Sequence, residues 1–544
     1  MMLTNKRNQF FTLAVLLVVM ALLAACGGAP AQPQTGASDA AAVDEAATAA
    51  AMAAAEEEKA AEEAAAMAAA EEEKAAEEAA AMAAEQATTE AMEAAAAAEE
   101  AEQEAEEAAA MAEEEVMMES SFVWPEGLAS DGPLAGVDPA GQTVVWWHNH
   151  SGSREERLLA MIDQFNSENP YGITVEALNQ GGYNDIREKM GAGITSGDLP
   201  GVVVGYQNDQ AFYASVDALV DMDTYVNDSH WGLTEDEKAD FSPGIFMQDV
   251  HPAFDNMRLG YPPNRSMEVL TYNKTWLEEL GYSDEDMAAI SPELFEEIAC
   301  AAAAERDDGE GGYIIRFDAS QVASAALARG GHVLTEDGLA YNYNSPELLD
   351  YFTQMRRMYE NGCAWVSPEP YHDAEFAARQ AIFMIGSSSG LPFTQGSLDD
   401  AGNADEWSVA PQPFTTDTPR QNLYGGSVMM PYGTPENQLA SWIFIHWFTG
   451  PEPQAEWAKA SNYFSPRYSV GEMLEDYIQT NPKYETALNL LPYAEFEPQL
   501  ISYASVRNAV SDAFNEIITT DVDIATALEE LDATVAEIHA EESE

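Results

Sequence analysis

Apolar positions along the chain change period several times, and each change marks a different kind of segment. The run Thr143-Val144-Val145-Trp146-Trp147 is nearly all apolar, which suits a strand covered on both faces. It stops at His148-Asn149-His150-Ser151-Gly152. Leu158, Leu159, Ile162 and Phe165 then recur at three- and four-residue spacing, a helical stripe ended by Asn169-Pro170. A second strand is predicted over 173–177 and, after Gly181-Gly182-Tyr183, a second helix from Asn184. A third apolar run, 201–204, ends at Tyr206-Gln207-Asn208-Asp209. Strand, helix, strand, helix, strand predicts βαβ units and a mostly parallel sheet, in which ligands sit beyond the carboxyl ends of the strands. Those ends are the polar and aromatic tips just named.

Before this part the pattern is of another kind. Lys6 and Arg7 precede an apolar stretch from Phe10 to Leu23, closed by Leu23-Ala24-Ala25-Cys26. A basic start, a short apolar core and a small-residue finish predict a secretory signal over 1–25, and the closing tetrad resembles a bacterial lipobox, in which the cysteine is acylated. Cys26 is therefore expected to anchor the protein to the outer face of the cell membrane, each buried acyl methylene contributing about 0.8 kcal/mol. Residues 26–119 form an Ala/Glu-rich, low-complexity spacer, almost entirely Ala, Glu and Met from Asp39 to Glu119, with MAAAEEEKAAEEAAA beginning at Met52 and again at Met67. Ala, Glu, Lys and Met favour helix, yet no stripe of large apolar residues is present and like charges repel, so a solvated helix and a disordered spacer both remain open.

The formal net charge is −72, from 95 acidic residues against 23 Lys and Arg. An acidic surface argues against nucleic acid, whose phosphates need clustered cations; it fits a salty habitat or simply high solubility. Residues 120–544 carry most of the aromatics and are long enough for two lobes with their own cores. Besides Cys26 only Cys300 and Cys363 occur, and an even pair outside the cytoplasm predicts a disulfide.

Several segments in order carry a resemblance. FNSENPYGITVEALNQGGYNDIREKMGAGITSGDLPGVVVGYQNDQAFYASVDALVDM is similar to the opening of family 1 bacterial extracellular solute-binding proteins, which include the maltose-binding proteins. MEVLTYNKTWLEELG, SPELFEEI, ALARGGHVLTEDG, FAARQAIFMIGSSSG, YGGSVMMPYGTPENQLASWIFIHWFTGPEPQAEW and PQLISYASVRNAV continue it. The resemblance implies an α/β fold of the periplasmic-binding-protein type II, with two discontinuous lobes, a hinge and an interlobe cleft. Crossovers are expected near 262–268, 383–388 and 425–431. It implies a monomeric capture subunit that takes a small solute, a sugar by this likeness, and delivers it to the permease of an ABC importer. The chain has no phosphate-binding Gly-rich loop ending in Lys-Ser/Thr, and no cofactor is expected.

Carried over position by position, the resemblance puts Trp147, His148 and Asn149 after the first strand and Tyr206 with Asp209 after the third. Asn264 and Ser266 lie on the first crossover, Asp318, Ser320 and Gln321 before Gly330-Gly331, Ser388 and Ser389 on the second crossover, Gly426 on the third, and Tyr503 on a late helix. Ser320 and Ser388-Ser389 stand where the maltose-binding relatives carry aromatics, which puts a maltodextrin in doubt. Trp and Tyr faces suit the C–H-rich face of a pyranose, and carboxylates suit its hydroxyls. Each residue also has a plainer reading: Trp146 and Trp147 alternate across a strand, so one belongs to the core; Tyr503 fits a core stripe with Val506 and Val510; Asp209 can cap a helix. Arg467 either pairs an anionic solute or forms an ion pair, so a polyamine or an organic anion stays as the alternative solute. His148 and His150 share a face of an extended segment, but without further ligands no metal site is expected. No acid/base pair or nucleophile motif points to an enzyme.

Overall fold

The computed structural model describes residues 121–306, 310–369 and 371–543. The signal, Cys26 and the Ala/Glu spacer lie outside the described residues.

The first sheet grows out of the βαβ pattern. Strand β1 (Thr143–His148) leads through helix α1 (Gly152–Glu168) to β2 (Thr174–Asn179), helix α2 (Tyr183–Ser196), β3 (Val202–Gly205) and helix α3 (Gln207–Ser215). β1 pairs in parallel with β2 on one side, Trp146 opposite Ala177, and with β3 on the other, Trp146 opposite Val202. Alternation along β1 sends Val144, Trp146 and His148 inward and leaves Trp147 half-buried on the opposite face. Trp146 packs against Phe444 and Phe448, its ring centroid 5.4 Å from each. The run that reads as a doubly covered strand is one.

A short hairpin, β4 (Val250–His251) with β5 (Met257–Arg258), precedes β6 (Ser266–Asn273), all eight of whose residues are buried. β6 belongs to a second, mixed sheet. It is flanked by β9 (Ala381–Ser387) on one side and, on the other, by β10 (Trp407–Ala410) and β11 (Gln421–Tyr424). β7 (Gly311–Ile315) runs parallel to β9 and to β8 (Ala364–Val366). Helix α4 (Ala319–Ala328) follows β7. Even positions of β6, Leu270 and Tyr272, enter one core; odd positions, Met267 and Val269, enter another.

The chain passes between the sheets three times. It leaves the first at Tyr261, which exchanges backbone hydrogen bonds with Val428, and enters β6 at Ser266. It returns through Gly425 and Gly426, between β11 and β12 (Ser427–Met429), the latter antiparallel to β3. Helices α5 (Pro435–Phe448) and α6 (Pro451–Ser461) then cover the first sheet. The last passage runs beside the first: Phe464 and Arg265 exchange backbone hydrogen bonds of 2.8 and 3.0 Å. β13 (Ala494–Phe496) joins β11, and helices α7 (Tyr503–Thr519) and α8 (Ile524–Ser543) close the second lobe. The crossover expected at 383–388 is corrected by this pairing. Tyr272 opposite Phe383 through Glu268 opposite Ser387 makes that segment an interior strand of the second sheet, and the third passage lies at 461–466 instead. An apolar strand ending in small residues has the same pattern in either role. Cys300 and Cys363 are joined by a disulfide within the second lobe.

Candidate solute cleft

The first-lobe wall is built at the ends of β2 and β3. Tyr206 is the N-cap of α3, and its backbone N–H donates to Asp209 Oδ2 at 2.9 Å. Asp209 is thus a helix cap; Asn208 donates to its other oxygen and Arg187 stands 3.6 Å from it. Burial pushes the Asp209 carboxyl up, partly offset by the Tyr206 N–H and by Arg187. With Asp209 turned to the backbone, the aromatic face of the wall comes from Tyr206 and Tyr183, whose centroids are 4.4 Å apart. The Tyr183 hydroxyl interacts with the Asn149 side chain and the Gly426 backbone. Gly426 allows that approach, because a Cβ there would lie 2.9 Å from the hydroxyl oxygen. Trp147, Asn149, Tyr183, Tyr206 and Gly426 therefore gather on the first-lobe side. His148 is fully buried, 3.8 Å from Glu155, and its Nδ1 accepts the His150 N–H. His150 stacks on it and meets Trp457 edge-on, and burial lowers both imidazoles. Among the described residues no cluster of His, Cys, Asp and Glu could hold a metal ion.

The second-lobe wall is charged. Asp318 caps α4 by accepting the Ser320 N–H at 2.8 Å. From α7, Arg507 donates to Ser320 Oγ at 2.8 Å and to both oxygens of Glu497 at 3.0 and 3.2 Å, and stands 3.6 Å from Asp318. Burial works against the Asp318 charge, but Arg507 and Arg316 outweigh it and hold the carboxyl below its usual range. Tyr503 lies one turn before Arg507, which sits 5.6 Å over its ring; the ring itself is 1% exposed and stacks near Tyr341. The Tyr206 hydroxyl, pushed up by burial, feels both Arg507 and Glu497, and α3 touches α7. The two walls meet there.

Other expected residues have other duties. Gln321 donates to the Tyr313 and Tyr351 hydroxyls inside the second lobe. Asn264 Oδ1 accepts from Trp457 Nε1 at 2.8 Å, and Ser266 is buried in the ladder opposite Tyr424. Ser388 Oγ accepts the Met267 N–H at 3.2 Å. The Ser389 carbonyl accepts from Arg154 of the first lobe at 2.8 Å; Arg154 also donates to Ser461 O and lies between the Phe393 and Tyr463 rings. Arg467 is engaged away from the solute: it donates to Thr449 O and Asp240 and lies 4.1 Å over the Phe241 ring. Sequence reasoning named neither Tyr183, Arg507 and Glu497 nor Arg154 among the candidates. Arg507 had a signal in its position four residues after Tyr503, on the same helix face.

The family model for bacterial extracellular solute-binding proteins matches residues 160–486, more than half of the chain. The chain belongs to the bacterial extracellular solute-binding proteins. Members of this family are transport solute-binding proteins that act outside the cytoplasm. Among curated relatives, the sn-glycerol-3-phosphate-binding periplasmic protein UgpB of Brucella abortus (strain 2308) is 21% identical over 71% of this chain and 90% of its own. Among solved structures, UgpB from Mycobacterium tuberculosis in complex with glycerophosphocholine matches with a TM-score of 0.65 at 17% identity, covering 74% of this chain and 100% of that one. The cyclic alpha-maltosyl-1,6-maltose binding protein from Arthrobacter globiformis matches with a TM-score of 0.62 at 20% identity, covering 73% and 99%. These likenesses establish the periplasmic-binding-protein fold with its two α/β lobes. Among the described residues no helix is long and apolar enough to cross a membrane.

Proposed function

We propose that this solute-binding protein captures a carbohydrate between its lobes and delivers it to the permease of an ABC importer, as a monomer held at the outer membrane face by lipid on Cys26 and carried on the Ala/Glu spacer. One observation supports the carbohydrate reading above the others. The Tyr183–Tyr206 pair, its rings in contact and tilted 44° to each other, faces the Arg507–Glu497–Asp318 group from the opposite lobe, an aromatic surface against a hydrogen-bonding one. A sugar presents C–H faces to the first and hydroxyls to the second. This reading is of binding rather than catalysis, supported by Asp209 capping a helix, Asp318 capping its own helix beside two guanidiniums, and the two carboxylates standing on different lobes.

A second reading, an anionic solute such as a phosphate ester, is favoured by Arg507 and by the glycerol-phosphate-binding relatives. The charge around Arg507 weighs against it. Glu497 and Asp318 already neutralise Arg507 and Arg316, so an anion must displace a carboxylate before it gains a guanidinium. The test is a thermal-shift screen of the full chain against mono- and oligosaccharides, polyamines and phosphate esters. A sugar at 100 times its dissociation constant adds about 2.7 kcal/mol of stability. A shift with a sugar that disappears in Tyr206→Ala supports the reading; a shift only with charged solutes replaces it.

A further inference from the structure

Glu268 stands two residues into β6 from the first crossover and is 3% exposed. Alternation along β6 places it on the face of Leu270 and Tyr272, one position nearer the hinge, where that face stops being apolar. One carboxylate oxygen, Oε1, accepts from the Tyr424 hydroxyl at 3.3 Å. The other, Oε2, is buried without any hydrogen-bond partner. A buried carboxylate oxygen left unpaired is costly, more so than a neutral acceptor, so the position is one the fold would not hold for stability alone. Its surroundings point to the cleft. Tyr424 interacts with Tyr206 of the opposite lobe, and Asp318, Arg316 and Glu497, the charged groups of the second-lobe wall, all act on Glu268.

We propose that Glu268 is a solute-contacting residue, whose free Oε2 accepts a hydrogen bond from one hydroxyl of the bound carbohydrate. This rests on the carbohydrate reading and adds a specificity-determining acceptor on the hinge strand itself, so that the hydroxyl it receives ties the solute to the element that moves on closure. Glu268 has a matching electrostatic signature. Burial first, and Asp318 next, push the carboxyl from 4.5 up to about 7, with Arg316 and the Tyr424 hydroxyl opposing and Glu497 reinforcing. From behind, Tyr313 and Tyr351 also face it. A donated hydroxyl favours the ionised form, so solute affinity should rise as pH rises from 6 to 8.

The experiment is calorimetric titration of the full chain, wild type and Glu268→Gln, with maltotriose, trehalose, D-tagatose and D-glucose at pH 6, 7 and 8, and sn-glycerol 3-phosphate as anionic control. The tightest-binding sugar is then replaced by each of its monodeoxy forms. The expected result is that Glu268→Gln binds that sugar about tenfold more weakly at pH 8 and loses the rise with pH. In addition, one deoxy position that weakens wild-type binding should cost the variant nothing. If Glu268→Gln does not fold, Glu268→Asp, which retracts the oxygen by one methylene, should show the same selective loss. A sugar that binds wild type and variant alike, or deoxy penalties unchanged by the variant, overturns the assignment of Glu268 while leaving the carbohydrate reading intact. Binding of the phosphate ester with none of the sugars overturns both.

Discussion

Replacing Glu268 by Gln in the solute-free protein tests the buried-carboxylate argument without any ligand. In the folded chain the carboxyl is pushed from its ordinary 4.5 to about 7, by burial first and by Asp318 second. A carboxyl raised on folding contributes stability that is fully present below the unfolded value and is lost as pH rises through the folded one. At about 1.36 kcal/mol per pH unit, the whole effect is on the order of 3 kcal/mol, and about 2.5 kcal/mol of it falls between pH 5 and pH 8. Glutamine keeps the shape and has no charge to bury. For a folded part of roughly 420 residues the unfolding entropy is about 0.9 kcal/mol/K, so that energy corresponds to about 3 °C in Tm. Thermal melts of the full chain at pH 5, 6, 7 and 8 should therefore show Glu268→Gln gaining about 3 °C on wild type across the range, ending more stable at pH 8. Parallel Tm curves would refute the reasoning, since they would mean that the carboxylate is solvated or paired in the folded state.

Three further outcomes follow from particular contacts. Gly426→Ala puts a Cβ 2.9 Å from the Tyr183 hydroxyl and 3.0 Å from Val204 Cγ2, so it should displace Tyr183 from its contact with Tyr206 and weaken sugar binding about tenfold while shifting Tm little, read by titration and melt together. Arg154→Ala removes the bond from the first lobe to Ser389 O, along with its local bond to Ser461 O at the end of α6; a charged hydrogen bond contributes about 1.5–3 kcal/mol, so stopped-flow release of the sugar should quicken by at least tenfold with association little changed. Opening the Cys300–Cys363 bridge, whose sequence separation is 63, with the paired Cys→Ser variant should cost about 4 kcal/mol in the loop-entropy treatment, a fall of about 5 °C in Tm.

The fold was legible wherever one residue pattern had one structural meaning. The apolar run at 143–147, the stripe from Leu158 to Phe165 and the run at 201–204 became β1, α1 and β3 because a doubly covered strand and an amphipathic helix leave different periods. The segment at 383–388 was misplaced because a strand crossing between lobes and a strand buried within one are both apolar, and only the partners Glu268 and Ser387 distinguish them. Asn149 and Tyr206 stand just beyond the ends of β1 and β3, the tips that the βαβ pattern names, whereas Asp318, beyond the end of β7, was reached only through the family resemblance. Asp209 and Arg467 each carried two readings in the sequence, solute contact or a local structural duty, and packing selects between them: Asp209 accepts a backbone N–H and Arg467 pairs with Asp240. Arg507, Glu497 and Glu268 were missed for a different reason. Glu497 and Arg507 lie ten residues apart, after β13 and on α7, but Glu268 on β6 precedes both by more than two hundred residues, and a separation of that size leaves no local pattern.

The two departures from the maltose-binding pattern acquire a physical reason in the structure. At Ser320, where those relatives carry an aromatic, the hydroxyl receives Arg507; a ring there would push the guanidinium off Glu497 and Asp318 and leave charges unpaired at the wall. At Ser388, where they carry a tryptophan, the hydroxyl accepts the Met267 N–H on the strand that emerges from the hinge, a bond that an indole, a donor only, cannot replace. Each departure therefore exchanges a stacking surface for a fixed polar contact at or beside a passage between the lobes. From the first lobe the aromatic surface is offered by Tyr183 and Tyr206. A solute matched to this arrangement needs one ring-sized apolar face and several hydroxyls on the other side. That favours a short saccharide over a long maltodextrin, which would want stacking surfaces along its length.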